Sequence, residues 1–515
     1  MARTVIVSNR VALPGAQRPG GLAIALRAAL RESKGLWFGW SGRSGVASDI
    51  PQRCRDRGID YATLDLSTED VDDYYRGFAN RVLWPLLHSR LDLVDYERGC
   101  SDGYQRVNAA FARALARELR GDELIWVHDY HLIPLAAQLR RLGVGNRIGF
   151  FLHVPFPPAD LAATLPHHRE LFDPLRAYDL IGLQTAADAT HLQDYLRHYA
   201  GADRVAFGQT ASPRIGAFPI GIDADAIAAQ AADAAALGEV RRLRESLGGR
   251  RLVIGVDRLD YSKGLPERMR AFERHLQRHP DLFGQLTYLQ IAPISRGDVP
   301  EYRSLRAELE ALAGHVNGAH ARPDWTPIRY VNHDYPHSAL TGFYRSAAVG
   351  LVTPLRDGMN LVAKEYVASQ AAADPGALVL SRFAGAAQQL GEALLVNPHD
   401  ADEVADAVAA AARMPLAQRR ERWAAMMATL RASDIGAWRR GFLQALAGIR
   451  DERREDSGDS ASIESTDSAS TESAPIPAWA TPAPPSPPTL AARGLAALAP
   501  SPLRAPGTLL GKGSS

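Results

Sequence analysis

The sequence predicts an α/β protein built from two doubly wound, parallel-sheet domains. Three observations carry this expectation: short apolar runs alternate with polar turns and helical stretches, the runs are almost continuously hydrophobic, and the pattern stops and restarts near residue 249. Continuous hydrophobicity marks strands covered on both faces, as helices flanking a parallel sheet would cover them. With 515 residues, 46% hydrophobic and 23% charged, the chain has enough apolar surface for at least two cores.

The first set of strands is expected at Thr4 to Ser8, Leu124 to His128, Ile148 to His153 and Leu180 to Gln184. After Pro219-Ile220-Gly221-Ile222 an Ala-rich helical stretch runs to about Gly249 and reads as the crossover between domains. The second set is expected at Leu252 to Val256, Leu286 to Ala292, Val349 to Val352, Leu378 to Ser381 and Leu394 to Val396. This divides the chain into an N-terminal domain at 1–233, a C-terminal domain at 234–433 and a helix at about 434–449. From Arg450 the composition turns to Ser, Glu and Asp and then to Pro, so 450–515 reads as a disordered tail.

Charge and cysteine usage narrow the function classes. The 59 basic and 58 acidic side chains nearly cancel, so no long-range field favours nucleic acid or an anionic membrane, and any phosphate must be held locally. Cys54 and Cys100 are too few for a disulfide framework or a thiolate metal cluster and fit a reducing compartment. Met1 to Arg10 lacks a signal-peptide core and no apolar run reaches spanning length, which points to the cytoplasm.

Ligands of open parallel sheets bind beyond the carboxyl ends of the strands. There, Val349 to Thr353 leads into Leu355-Arg356-Asp357-Gly358-Met359-Asn360, followed by strong helix formers from Leu361 to Ala373. The N–H groups of Met359, Asn360, Leu361 and Val362 at a helix start suit phosphate oxygens, and Gly358 suits close approach. Asp357 suits sugar hydroxyls and Glu365 a ribose diol. Against this stands a plainer reading, in which Asp357 and Asn360 cap the helix and Glu365 answers its dipole. A second strand end, Asp257-Arg258-Leu259-Asp260-Tyr261-Ser262-Lys263-Gly264, places Arg258 and Lys263 to flank a diphosphate, or simply to pair with Asp257 or Asp260.

The segments Leu355 to Tyr366 and Arg258 to Gly264 resemble signatures of the trehalose-6-phosphate synthase family. So do Ser8-Asn9-Arg10, Trp37-Phe38-Gly39-Trp40, His128-Asp129-Tyr130-His131 and Phe151-Leu152-His153-Val154-Pro155-Phe156-Pro157. The similarity runs from about Val5 to Leu446. It implies a GT-B fold, two Rossmann-like domains facing a cleft, with Trp438 to Leu446 in a last helix that crosses back to the first domain. It implies a retaining glycosyltransferase of trehalose biosynthesis, moving glucose from UDP-glucose to glucose 6-phosphate. By the same resemblance, Arg258 and Lys263 would bind the diphosphate, with Gly21 approaching it from the N-terminal domain. Asp357 would hold the glucose, the backbone from Gly358 to Val362 would meet phosphate or sugar oxygens, Glu365 the ribose and His153 the donor sugar. Arg10, Tyr75, Trp84 and Arg296 would surround the acceptor phosphate, with Asp129 and Trp40 nearby. For the three aromatic residues alone, core packing would otherwise be the better reading.

The resemblance further implies front-face substitution without a protein nucleophile, cofactor or metal, and a role in stress response and osmoprotection. Its partners would be the two small-molecule substrates, not nucleic acid or membrane; a homo-oligomer stays open. The tail carries no Asp-X-Asp phosphatase motif, so a trehalose-phosphate phosphatase is expected as a separate protein. Asp223-Ala224-Asp225 formally matches a metal-binding Asp-X-Asp pattern but reads as a helix cap, and His128 with His131 lacks a third ligand. A different phosphorylated acceptor such as glycerol phosphate, and a silent sugar-phosphate sensor, remain as alternatives; the nucleotide base is open. A nicotinamide oxidoreductase is disfavoured because the first strand leads into Ser8-Asn9-Arg10 and not a Gly-X-Gly-X-X-Gly turn.

Overall fold

The first sheet has eight strands: β1 (Thr4–Arg10), β2 (Leu36–Ser44), β3 (Gln52–Asp56), β4 (Ile59–Leu66), β5 (Leu124–His128), β6 (Arg147–Phe151), β7 (Leu180–Leu183) and β8 (Arg214–Ala217). Their order is β3-β4-β2-β1-β5-β6-β7-β8, and every neighbouring pair is parallel except β3 with β4. That one hairpin turns through Arg57 and Gly58, both at positive φ, as a tight two-residue turn requires. The second sheet comprises β9 (Arg251–Val256), β10 (Leu286–Ile291), β11 (Ile328–Val331), β12 (Val349–Val352), β13 (Ala377–Ser381) and β14 (Leu394–Val396), all parallel in the order β11-β10-β9-β12-β13-β14. The computed structural model describes residues 3–14, 21–46, 50–200, 212–294 and 300–458. The segment 459–515, which includes nearly all of the expected tail, lies outside them.

The central strands are buried along their length: β5, β7, β10, β12 and β13 carry no exposed residue, as strands sandwiched between helix layers should. Among the helices that matter for the site are α1 (Gly21–Ser33), α2 (Leu265–Arg278), α3 (Leu361–Ser369) and α4 (Ile435–Gly458). The expected helix from Leu361 to Ala373 ends instead at Ser369. Gln370 turns extended there, donating from Nε2 to the Tyr344 carbonyl at 2.6 Å and accepting from Gly376 N–H at 2.8 Å.

α4 returns to the first sheet, where the ring of Phe442 lies directly on two glycines. A Cβ built on Gly149 or on Gly182 would sit 2.8 Å from that ring, and Phe442 is fully buried among Trp126, Phe151 and Phe218. Arg439 adds an ion pair with Glu32 of α1 at 2.6 Å.

The two chain crossings between the halves touch. A Cβ on Gly221, in the first crossing, would lie 2.0 Å from the carbonyl oxygen of Ser433, in the second. Beside them Lys364 of α3, wholly buried, donates from Nζ to the Ile220 carbonyl and to Gln389 Oε1, each at 2.6 Å. The helix Ala224–Ala234 packs on the second half: Ala234 abuts Gly342, and Gln230 bonds His337 at 2.7 Å. A division at 233/234 would cut this helix from its partners, so we propose that the domains divide ahead of Asp223. Asp223 caps that helix through Ala226 N–H at 3.0 Å, and Asp225 pairs with Arg431, which accounts for the Asp-X-Asp pattern without a metal.

Candidate active site

The loops after β1, β5, β6, β9 and β12 converge on one cavity of about 300 Å³, lined by Tyr75, Trp84, Asp129, His153, Arg258, Lys263 and Asp357 together with Asn9, His88, Tyr130, His131 and Val154. Seven residues singled out in the sequence thus meet in one place. β1 and β5 lead to Asn9 and Asp129, the stretch after β6 supplies His153, the helical segments between β4 and β5 supply Tyr75 and Trp84, and the second sheet supplies Arg258, Lys263 and Asp357.

The donor-side cations are not paired as ordinary loop charges would be. Asp257 is taken by Arg268 of α2, a fully buried guanidinium that reaches its carboxylate at 2.8 Å and also bonds Gln290, Thr353 and the Lys263 carbonyl. Asp260 caps Ser262 N–H and accepts from Trp84 Nε1 at 3.2 Å and from the Tyr302 hydroxyl. Arg258 therefore stays exposed, without an ion pair among the described residues, its guanidinium 5.7 Å from the Trp84 ring centroid. Lys263 pairs across to Asp357 at 2.5 Å. Burial pushes the Asp357 carboxyl up, but the charge of Lys263 and hydrogen bonds from Lys263 and Asn360 outweigh it, so the group stays ionised below its ordinary range.

The capping alternative holds for one residue and fails for the other. Asn360, at φ 75° and ψ 87°, accepts from Ala363 N–H at 3.1 Å and so caps α3; its Nδ2 also fixes Asp357. Asp357 does not cap. Its carbonyl accepts from Gly385 N–H and its N–H donates to the Phe383 carbonyl, which splints the turn to the end of β13. The first N–H groups of α3, including those of Leu361 and Val362, have no acceptor within the helix. Glu365, a turn further in, sits 3.6 Å from His337 Nε2, and its hydrogen bond and charge raise the His337 pKa against burial.

Gly358 differs from its expected use. The space that a side chain would fill is taken by protein and not left for a ligand, because a Cβ there would lie 2.2 Å from the His153 carbonyl oxygen and 3.0 Å from Val154 backbone atoms. The glycine lets the turn before α3 in one half touch the backbone of the other.

The opposite wall is aromatic. Ring neighbours run from Trp40 to Tyr75 (5.7 Å), to His131 (5.9 Å), to Tyr130 (4.0 Å), to Trp84 (5.8 Å) and to His88 (4.2 Å). Tyr75 rides on a π-helical segment, Val71–Leu83, whose wider turn ends with Trp84 N–H bonding the Ala79 carbonyl. Arg10 is exposed near this wall, 6.0 Å from the Trp40 centroid and without an ion pair among the described residues. Gly42 makes room for it, since a Cβ there would strike the guanidinium at 2.5 Å. Gly21 is the first residue of α1, and the segment just before it lies outside the described residues, as does Arg296.

Asp129 holds a left-handed φ of 76°, rare outside glycine, while its N–H bonds the Phe151 carbonyl and its Oδ1 accepts from His153 N–H. Strain of this kind survives where neighbours fix the residue, and it ties Asp129 to His153. Burial pulls His153 down to about 3 and His88 to about 4, the latter despite Asp260. The cavity therefore offers neutral imidazoles, one cation fixed by Asp357 and one left unpaired, a set suited to an anionic leaving group beside polar hydroxyls. Among the described residues no three His, Cys, Asp or Glu side chains are grouped to hold a metal, and no helix is long and apolar enough to cross a membrane.

Sequence reasoning missed Arg268, His88, His337 and Lys364. Arg268, within the first turns of α2, carried a signal: an arginine that close behind Lys263-Gly264 is placed to relieve Asp257 of Arg258. His88, His337 and Lys364 gain meaning only from tertiary packing.

Known proteins resemble this chain over most of its length. The family described as glycosyltransferase family 20 matches residues 5–448. A trehalose-6-phosphate synthase from Sinorhizobium fredii (strain NBRC 101917 / NGR234) is 50% identical over 461 residues, covering 88% of this chain and 99% of the relative. The crystal structure of a UDP-forming α,α-trehalose-phosphate synthase from Burkholderia xenovorans in complex with glucose-6-phosphate superposes with a TM-score of 0.82 at 47% identity, covering 87% of this chain and 100% of that one. A structure from E. coli bound with UDP-2-fluoro glucose superposes with a TM-score of 0.81 at 45% identity, covering 86% of this chain and 99% of that one.

Proposed function

Since the chain belongs to glycosyltransferase family 20 and has the GT-B fold, we propose that it transfers glucose from UDP-glucose to glucose 6-phosphate with retention, forming α,α-trehalose 6-phosphate and UDP. The single observation that carries this reading is the pair of cations at the end of β9: Arg258 without a carboxylate partner, and Lys263 fixed by Asp357, both facing the aromatic wall.

Breaking the bond between glucose C1 and the phosphate oxygen leaves oxocarbenium character on the sugar and negative charge on the departing diphosphate. Arg258, Lys263 and the first amides of α3 meet that charge, in place of the divalent cation that other transferases use. Asp357, ionised and immobilised, accepts from hydroxyls of the transferred glucose, and Glu365 from the ribose. Tyr75, Trp84 and Arg10 hold the acceptor phosphate, with Arg296 completing the set. Asp357 is bound to Lys263 and Asp129 Oδ1 accepts from His153 N–H, and the proposed reaction uses neither carboxylate as a nucleophile. Retention then proceeds on one face: the acceptor hydroxyl attacks as the diphosphate leaves, and a leaving-group oxygen takes its proton. The acceptor's phosphate takes no part in the transfer, so the product keeps it.

The test is to incubate the purified protein with glucose 6-phosphate and UDP-, GDP- or ADP-glucose, then determine the linkage of any phosphorylated disaccharide by NMR. The expected product is the α,α-1,1 isomer with UDP-glucose as donor. A protein that yields no phosphorylated disaccharide with any donor would refute the proposal.

A further inference from the structure

His128 is the one residue of the His128-Asp129-Tyr130-His131 motif that does not line the cavity; it is nearly fully buried at the end of β5. Its Nδ1 lies 3.1 Å from His153 Nε2, and its own Nε2 is buried with no hydrogen-bond partner. Two imidazole nitrogens at that distance share one proton, and which ring supplies it decides what His153 presents to the cavity it lines.

Both rings are neutral, since burial lowers His153 to about 3 and holds His128 well below its ordinary value, with His153 adding to the depression. Each therefore carries one N–H. If His153 donated from Nε2, the proton of His128 would sit on its own Nε2, a buried donor. The polar atoms of the rings stacked around it are Trp126 Nε1, 4.6 Å away by ring centroids, and Trp438 Nε1, in a ring 6.4 Å away; both are buried and without a partner. Both are donors and cannot accept. An N–H on His128 Nε2 would be a third stranded donor in this ring cluster, whereas a bare nitrogen there strands none.

We propose that His128 is a positioning residue: its Nδ1–H donates to His153 Nε2 and fixes the single proton of His153 on Nδ1, available to a substrate oxygen in the cavity. The tautomer assignment stands on this geometry and on the burial of both rings; its use in turnover rests on the transfer reaction proposed above. Each ring keeps its proton, so the pair orients a donor and moves no charge.

The test uses full-length protein labelled with ¹⁵N-histidine, ligand-free at neutral pH, with His153 assigned by a His153→Gln control. In the wild type, Nδ1 of His153 should resonate as a protonated nitrogen and Nε2 as a bare one. His128→Phe, which keeps an aromatic ring in the cluster but no donor, should release that preference. It should lower kcat/KM for UDP-glucose about 10-fold, with KM for glucose 6-phosphate little changed. His128→Asn, whose amide Nδ2–H takes the place of the imidazole Nδ1–H, should restore both the tautomer and most of the turnover. Protonated Nε2 in wild-type His153 overturns the proposal, even if a variant fails to fold. So does His128→Phe with an unchanged spectrum, or His128→Asn as impaired as His128→Phe. Because the spectrum needs no turnover, failure of the proposed reaction would show separately.

Discussion

Replacing Gly358 with alanine tests whether the site depends on backbone contact between the two halves. The added Cβ would lie 2.2 Å from the His153 carbonyl oxygen and 3.0 Å from Val154 backbone atoms, so no rotamer change can relieve the clash. Restoring van der Waals distance requires the donor turn and the His153 loop to part by about 1 Å. Overpacking of this kind costs about 1–3 kcal/mol of stability. The larger effect falls on function, because Asp357 and His153 move apart, and a misplacement of about 1 Å costs on the order of 10²-fold in rate. The assay is UDP release from UDP-glucose with glucose 6-phosphate, together with a thermal melt. The control is Gly441→Ala in α4, where a Cβ meets nothing within 4 Å; it should leave turnover unchanged and stabilise by about 0.4–1 kcal/mol. Gly358→Ala with kcat/KM within about 3-fold of wild type would show that the halves do not need this contact.

Three further outcomes follow from the same geometry. Arg258→Ala should lower kcat by on the order of 10²–10³ while leaving the melt nearly unchanged, since Arg258 is exposed and unpaired. Near-normal turnover would remove it from the leaving-group site. Phe442→Ala should cost about 3–5 kcal/mol in urea unfolding, by emptying the space over Gly149 and Gly182; a loss below about 1 kcal/mol would mean that α4 is held elsewhere. Burial lowers Lys364 to about 7, against an ordinary value near 10.4 when unfolded, so between those values the unfolded chain binds the extra proton and stability rises with pH. Lys364→Met should lower stability at pH 9 by stranding the acceptors at Ile220 and Gln389, and should flatten the rise with pH measured by denaturant titration. An unaltered slope would place the titration elsewhere.

Strands in the middle of either sheet were the most legible part of the sequence, because burial on both faces demands continuous apolar runs; Leu124 to His128 and Val349 to Val352 coincide with the structure, and of the edge strands only the short apolar Leu394 to Val396 did so as well. β3, β8 and β11 are edge strands with half-polar sequences, and β2 is a strand within an aromatic motif, so none of the four announced itself. At the site, Arg258, Lys263 and Asp357 could be found because charge at a strand end has a limited set of uses. Their pairing could not: that Asp257 answers Arg268 and Lys263 answers Asp357 depends on which loops meet, over separations of up to 94 residues. Gly358 shows the same limit, since its neighbour His153 belongs to the other sheet. The role argued for His128 needed the unpartnered indoles of Trp126 and Trp438, and Trp438 is brought in from the far end of the fold by α4.

The contact between Gly221 and Ser433 bears on how such a cleft opens. Two peptide links that leave one half and return to it at a single point act like adjacent pins of a door. A swing about the line through them stretches neither link, whereas a slide or a twist would pull one against the other. Lys364 sits beside that axis, so the first turn of α3 is close to stationary during the swing, and displacement grows with distance from it. On the reading proposed above, the amides at the start of α3 would already be in place for the diphosphate while the rest of the cleft swings.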